Sequence, residues 1–204
     1  MQLKKYQNDT LAVIKAFFDA LDTKSPKEAY ESVTSSADLI ARLGKLRHYE
    51  PMATTKSTKD TESTSSLCDP LRSLRFQDIP VVSIKVPTGG GKTIIAAHAV
   101  KVIAECQGRE YPFIVWFAPS ETIRRQTADA LKKARHPYRQ ALNEAFKGNV
   151  QVFDLDEVFM ITPSDIERNA CIVVATEQAF VKKDKEKYNV YKHNESFEPH
   201  FASI

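Results

Sequence analysis

A glycine-rich stretch near the middle of the chain has the residue types that bind phosphate. It reads Val86-Pro87-Thr88-Gly89-Gly90-Gly91-Lys92-Thr93. Glycines lack a Cβ atom, so the backbone can adopt positive φ and bring its N–H groups against phosphate oxygens. Lys92 would reach the β- and γ-phosphates of a nucleotide, and the Thr93 hydroxyl would be a ligand of Mg²⁺. We therefore predict a loop that binds ATP and Mg²⁺, with Lys92 and Thr93 as catalytic residues, through Thr88, Gly89, Gly90, Gly91, Lys92 and Thr93.

The residues on either side of this loop favour the elements that a phosphate-binding loop needs. Residues 80–86 are a β-branched run that predicts a strand, and residues 93–104 are helix formers. Strand, glycine loop and helix in this order is the context of a P-loop. One position departs from the strict G-x-x-x-x-G-K-[ST] pattern, because Val86 stands where the first glycine is expected. The alternative is a glycine-rich turn followed by a chance Lys-Thr pair, and the flanking elements favour the phosphate-binding loop.

Strand-like and helix-like segments alternate after the loop. Residues 111–120 are a continuous apolar run that predicts a buried parallel strand, and a helix capped by Ser120 follows it. A helix over 137–146, a strand over 149–153 and a final buried strand within 169–180 complete the pattern. This alternation predicts right-handed crossovers and a mostly parallel sheet covered on both faces.

The N-terminal 50 residues are predicted to be helical. Apolar residues at helical spacing indicate an amphipathic helix over 3–21. Ser25-Pro26-Lys27-Glu28 is a capping-box signature for a second helix, and a third is expected over 38–47. Residues 54–66 are almost wholly Thr, Ser, Lys, Asp and Glu, so they are predicted to form an exposed, mobile loop.

Composition narrows the class of protein. The 42% hydrophobic and 27% charged residues are ordinary for a soluble globular protein, and a net charge of +3 permits nucleic-acid binding without requiring it. No apolar run approaches the ~20 residues of a membrane span, so we expect a cytoplasmic protein with no membrane partner. Cys68, Cys106 and Cys171 lie too far apart to indicate a disulfide framework or a zinc site.

Asp154-Leu155-Asp156-Glu157 contains an Asp-Glu pair of the kind that holds Mg²⁺ in nucleotide hydrolases. Such a pair should follow four apolar strand residues, and here the polar Asp154 interrupts the run. We therefore interpret this segment as an exposed loop rather than a metal-binding motif.

Four segments resemble the motifs of superfamily 2 helicases and translocases. Residues 87–93 resemble motif I, in which Pro-Thr-Gly-x-Gly-Lys-Thr is common and the first glycine is often absent. Residues 118–126 resemble motif Ia, and the strand ending in Thr176-Glu177-Gln178 resembles motif Ib. Leu3-Lys4-Lys5-Tyr6-Gln7 resembles the Leu-x-x-Tyr-Gln segment upstream of motif I in motors related to restriction enzymes. The chain is most similar to the Res subunit of type III restriction enzymes.

The resemblance implies a fold and a set of residue roles. The fold would be an incomplete α/β domain of the RecA-like P-loop NTPase type, with three layers, a mostly parallel sheet and additional N-terminal helices. Gln7 would read the adenine edge, since an amide can donate and accept at once. The residues that would contact the nucleic-acid backbone are Ser120, Arg124, Arg125 and Thr176.

The resemblance also implies an organisation and a function. Residues 1–50 would be a helical segment with the Tyr-Gln motif, 51–79 a polar insertion, 80–181 the RecA-like core with motifs I, Ia and Ib, and 182–204 a polar tail leading toward motif II. The protein would be the ATP-binding N-terminal part of an ATP-dependent DNA helicase or translocase. Its partners would be the DNA phosphate backbone and a modification or specificity subunit.

Two parts of such a motor do not occur in this sequence. They are motif II, which supplies a Mg²⁺-holding carboxylate, and the second RecA-like domain with its arginine finger. We therefore expect the full-length protein to hydrolyse ATP and this part alone to bind ATP but be inactive as a hydrolase. The alternatives are the related type I motor subunit, other DEAD/DEAH-like helicases, a P-loop protein or kinase that does not bind nucleic acid, and a degenerate scaffold that does not hydrolyse nucleotide.

Overall fold

The computed structural model of the chain describes residues 2–43 and 80–176, and these form two compact units. The N-terminal unit contains residues 2–43 and 80–90, and the sheet unit contains residues 91–176. Three predicted features lie outside the described residues: the insertion over 51–79, the tail over 182–204, and Gln178.

The N-terminal unit is built from three helices, which confirms the helical prediction for this part of the chain. They are α1 (Lys5–Ala20), α2 (Pro26–Thr34) and α3 (Ala37–Leu43). Helix α2 begins as its sequence predicts, because Ser25 Oγ accepts the Glu28 N–H and the Glu28 carboxylate accepts the Ser25 N–H at 3.0 Å. The core of this unit is formed by Phe17, Ala29 and Val33.

The prediction of a strand over residues 80–86 is wrong. This segment is irregular and joins no strand among the described residues. The side chains of Val81, Val82 and Ile84 are exposed, and only Val86 of the β-branched run is buried. A β-branched run favours extended backbone, but a strand also needs a neighbour that takes up its N–H and C=O groups.

The sheet unit contains a parallel sheet of three strands, which confirms the predicted α/β class. The strands are β1 (Phe113–Ala118), β2 (Val150–Asp154) and β3 (Ala170–Thr176), in the spatial order β1-β3-β2. The central strand β3 is buried along its whole length. Its register places Ala118 opposite Thr176 and Asp154 opposite Val174, so all three strands end at one edge of the sheet.

Helical layers cover both faces of this sheet. One face carries α4 (Lys92–Cys106), α5 (Glu121–Lys132) and α6 (Pro137–Ala145), whose buried side chains pack on Ile172 and Val174. The other face carries a 3₁₀ helix (Leu155–Met160) and α7 (Pro163–Arg168), which pack on Cys171 and Val173. The result is the predicted arrangement of helices, sheet and helices.

Candidate functional site

The glycine loop contains a tight turn whose shape two of its glycines make possible. The Gly90 N–H donates to the Pro87 carbonyl at 3.0 Å, and Gly89 has φ of 77°. Because Thr88 does not have a positive φ, this is the pattern of a type II turn, which favours glycine at its third position. A Cβ on Gly90 would lie 2.5 Å from Val86 Cγ1 and 2.9 Å from the Pro87 carbonyl oxygen. Position 89 therefore requires glycine because of its backbone conformation. Position 90 requires glycine because a side chain there would have no space beside Val86 and Pro87.

Helix α4 begins directly after the third glycine. Gly91 is its N-cap residue, with φ of 76°, and its carbonyl accepts the Ile95 N–H at 3.0 Å. Lys92 is the first helical residue and is exposed, and Thr93 is the second and is half-buried. The first turn of a helix presents backbone N–H groups that have no carbonyl of their own helix to bind, and such N–H groups suit anions. The predicted order of glycine loop followed by helix is confirmed.

The Tyr-Gln segment at the start of α1 contacts the glycine loop. Gln7 is 4% exposed, and its Nε2 donates to the Gly90 carbonyl at 3.2 Å. Tyr6 Oη donates to the same carbonyl oxygen at 2.6 Å. The other end of the Gln7 amide, Oε1, accepts the Lys4 N–H at 2.9 Å. The structure thus brings Gln7 to the predicted loop, and it adds Tyr6, to which the sequence pattern assigned no role.

Two of the residues predicted to contact nucleic acid lie at the carboxyl edge of the sheet. Ser120 follows β1 and is exposed, and its Oγ accepts the Ile123 N–H at 3.4 Å as the N-cap of α5. Thr176 ends β3 and is 8% exposed. Since Ala118 is paired with Thr176, the two hydroxyl-bearing residues lie at the same edge.

The two adjacent arginines of α5 have opposite environments. The Arg124 side chain is 6% exposed, its Nε and Nη2 donate to both carboxylate oxygens of Glu121 at 2.9 and 2.6 Å, and its Nη1 pairs with Asp154. The Arg125 side chain is 72% exposed and makes a 3.0 Å contact with Glu121. Arg125 therefore keeps its guanidinium largely in solvent, whereas Arg124 is buried between two carboxylates.

The arginines also change the acidity of Glu121. Hydrogen bonds from Arg124, and then from Arg125, lower the pKa of this carboxyl group from its ordinary value of 4.5 to about 2. Glu121 is half-exposed, so solvent screens part of this interaction. The carboxylate still keeps its charge far below neutral pH.

The segment predicted to be an exposed loop instead contains the end of β2 at Asp154, which is the N-cap of the 3₁₀ helix, and the first residues of that helix through Glu157. Asp154 Oδ1 accepts the Leu155 N–H at 2.6 Å, and Glu157 Oε2 accepts the Asp154 N–H at 2.7 Å. Glu157 also pairs with Lys132 of α5 at 2.6 Å. Asp154 and Glu157 thus form a capping box that begins a helix, which is why the loop prediction is wrong. Within the described residues, no group of three or more His, Cys, Asp and Glu side chains is placed to hold a metal ion.

Comparison with known proteins identifies a family. Residues 1–201 match the sequence family described as "Type III restriction enzyme, res subunit". Searches of curated proteins and of solved structures found no match. In the described part of the chain, no helix has both the length and the apolar character that a membrane crossing requires.

Replacing Arg124 with methionine should lower the free energy of unfolding by about 2 kcal/mol, because Asp154 would lose its buried cation. The matched change Arg125→Met removes the neighbouring, exposed arginine. It should change the free energy of unfolding by less than about 0.5 kcal/mol. Urea unfolding of both variants measures the difference. Equal effects of the two substitutions would contradict the structural role of Arg124.

The lowered pKa of Glu121 predicts a pH dependence of stability. The unfolded chain binds a proton near pH 4.5 and the folded chain only near pH 2, so the stabilisation is present above pH 4.5 and is lost as the pH falls toward 2. Unfolding free energies measured across this window should therefore fall less steeply for Glu121→Gln than for the unsubstituted protein. If the curves of unfolding free energy against pH were parallel for the two proteins, Glu121 would have the same pKa in the folded and the unfolded chain.

Proposed function

Because the chain belongs to the family of type III restriction enzyme Res subunits, whose matched region is a RecA-like helicase domain, we propose that it is the ATP-binding N-terminal part of an ATP-dependent DNA translocase or helicase. The observation that carries this proposal is the glycine turn that leads directly into the first residues of α4. The DNA substrate, a modification or specificity subunit as partner, and a cytoplasmic location are parts of the same proposal.

The residues of the loop fit a nucleotide triphosphate with Mg²⁺. The positive φ angles of Gly89 and Gly91 favour glycine at both positions, so the loop would offer a phosphate backbone N–H groups that no side chain covers. The N–H groups of Thr88, Gly89 and Gly91 would donate to phosphate oxygens, and Lys92 would neutralise the β- and γ-phosphates. The Thr93 hydroxyl is the group that would bind Mg²⁺, which on binding would neutralise charge that develops on the phosphates.

Hydrolysis would need two groups beyond this loop. The acidic pair Asp156 and Glu157 belongs to the 3₁₀ helix, and the Glu157 carboxylate is bound to Lys132 and to the Asp154 N–H. We therefore propose that the Mg²⁺-holding carboxylate and the charge-neutralising arginine come from motif II and the second RecA-like domain, which residues 1–204 do not contain. On this proposal residues 1–204 alone bind ATP but turn it over poorly.

The carboxyl edge of the sheet is the proposed surface for the DNA backbone. Arg125 offers an exposed cation there, Ser120 offers an exposed hydroxyl at a helix N-terminus, and Thr176 lies at the same edge. The proposed contact of Arg124 with DNA remains a prediction that would require this side chain to leave Glu121 and Asp154.

Replacing Lys92 with alanine in the full-length protein should reduce DNA-stimulated ATP turnover by at least about 100-fold, because the β- and γ-phosphates would lose the positive charge of Lys92. Lys101→Ala is the matched control, since Lys101 lies on the same helix and pairs with Glu105 on the surface. Phosphate release is measured with and without DNA. Full turnover in the Lys92 variant, or turnover that DNA does not stimulate, would favour a nucleotide-binding protein of another class.

Replacing Arg125 with alanine should weaken DNA binding for all sequences alike and lower the slope of log affinity against log salt by about 1, since one phosphate contact is lost. Arg135→Ala serves as the control, because Arg135 is exposed but follows the opposite end of α5. Fluorescence anisotropy with a labelled duplex at several salt concentrations provides the measurement. An unchanged slope for Arg125→Ala would remove this edge from the proposed DNA surface.

A further inference from the structure

One backbone carbonyl of the glycine loop accepts two side-chain hydrogen bonds. The Gly90 oxygen receives Tyr6 Oη at 2.6 Å and Gln7 Nε2 at 3.2 Å, from residues more than 80 positions earlier in the chain. A carbonyl oxygen has two lone pairs, so both donors can bind it at once. On the other side of the residue, the Gly90 N–H is held by the Pro87 carbonyl. The peptide groups before and after Gly90 are therefore both fixed in orientation.

Fixing the Gly90 carbonyl also sets the direction of an N–H group. The peptide between Gly90 and Gly91 is planar and trans, so its N–H points opposite to its C=O. When Tyr6 and Gln7 hold the carbonyl, the Gly91 N–H is directed to the other side of the peptide plane. This N–H is among those that the proposed function assigns to phosphate oxygens.

Gln7 is itself held firmly. It is 4% exposed, and its Oε1 accepts the Lys4 N–H at the start of α1 while its Nε2 binds the loop. These two partners determine which end of the amide is oxygen and which is nitrogen. The side chain that holds the Gly90 carbonyl is therefore itself fixed at both ends of its amide.

From this geometry we propose that Tyr6 and Gln7 are positioning residues for the triphosphate, which hold the Gly90 peptide so that the Gly91 N–H is directed toward the phosphates. The inference rests on the proposed ATP binding and deepens it. It assigns a function to the Tyr6 hydroxyl and adds to Gln7 a role toward the phosphates.

The test compares two probes, ATP and inorganic tripolyphosphate, each with Mg²⁺, by titration calorimetry on the whole protein. Tyr6→Phe removes one hydroxyl and one hydrogen bond, so both probes should bind about fivefold more weakly. Gln7→Ala removes the second hydrogen bond to the Gly90 carbonyl, so it should weaken the binding of ATP and of tripolyphosphate. Tyr138→Phe, which removes a hydroxyl from α6, is the matched control and should bind both probes as the unsubstituted protein does.

Each outcome decides between the roles. If Gln7→Ala weakens ATP but leaves tripolyphosphate unchanged, Gln7 reads the base and the inference fails. If Tyr6→Phe binds both probes normally, the hydroxyl does not position the loop. If the unsubstituted protein binds neither probe, the proposed function fails and the inference fails with it. Thermal unfolding of Tyr6→Phe, which should match that of the unsubstituted protein within a few degrees, shows that the variant is folded.

Discussion

The sheet unit depends on the parallel pairing of β3 with strands on both of its sides. All seven residues of this strand are buried, and its backbone pairs with β1 and with β2. Parallel pairing makes the three strands end at one edge, and α5 begins within three residues of the end of β1. The first turn of α5 therefore lies beside the end of β2, where Arg124 meets Asp154. The position of the candidate DNA surface follows from the same pairing.

The adjacent arginines of α5 show how helix geometry separates structural from exposed charge. Successive helical residues point about 100° apart, so Arg124 and Arg125 cannot occupy the same face. A buried guanidinium costs free energy unless carboxylates are close to it, and Glu121 and Asp154 offset that cost. The ion pair of Arg124 with Asp154 consequently links α5 to the end of β2, whereas the Arg125 side chain is exposed to solvent.

Much of this structure could be predicted from local sequence patterns. Most of the helices and the three observed strands were predictable because periodicity and caps act over a few residues, as at Ser25 and Ser120. The inward direction of Arg124 was readable too, since the other buried residues of α5 follow it at helical spacing: Thr127, Ala128 and Leu131. Helix α7 was missed although Thr162 and Asp165 form a capping box. In contrast, pairing across the chain has no local signature, so the failure of residues 80–86 to form a strand and the contact between Tyr6 and Gly90 could not be predicted.

The valine at the position of the expected first glycine has a structural explanation in the loop itself. Val86 is buried, and its Cγ1 fills the space that a side chain at Gly90 would need. A glycine at position 86 would leave that space empty, and the turn would lose its apolar support. The larger side chain at Val86 thus occupies the volume that the absence of a side chain at Gly90 leaves. Because Tyr6 and Gln7 bind the Gly90 carbonyl, packing and hydrogen bonding constrain the same residue, and the loop keeps its shape without the first glycine of the common pattern.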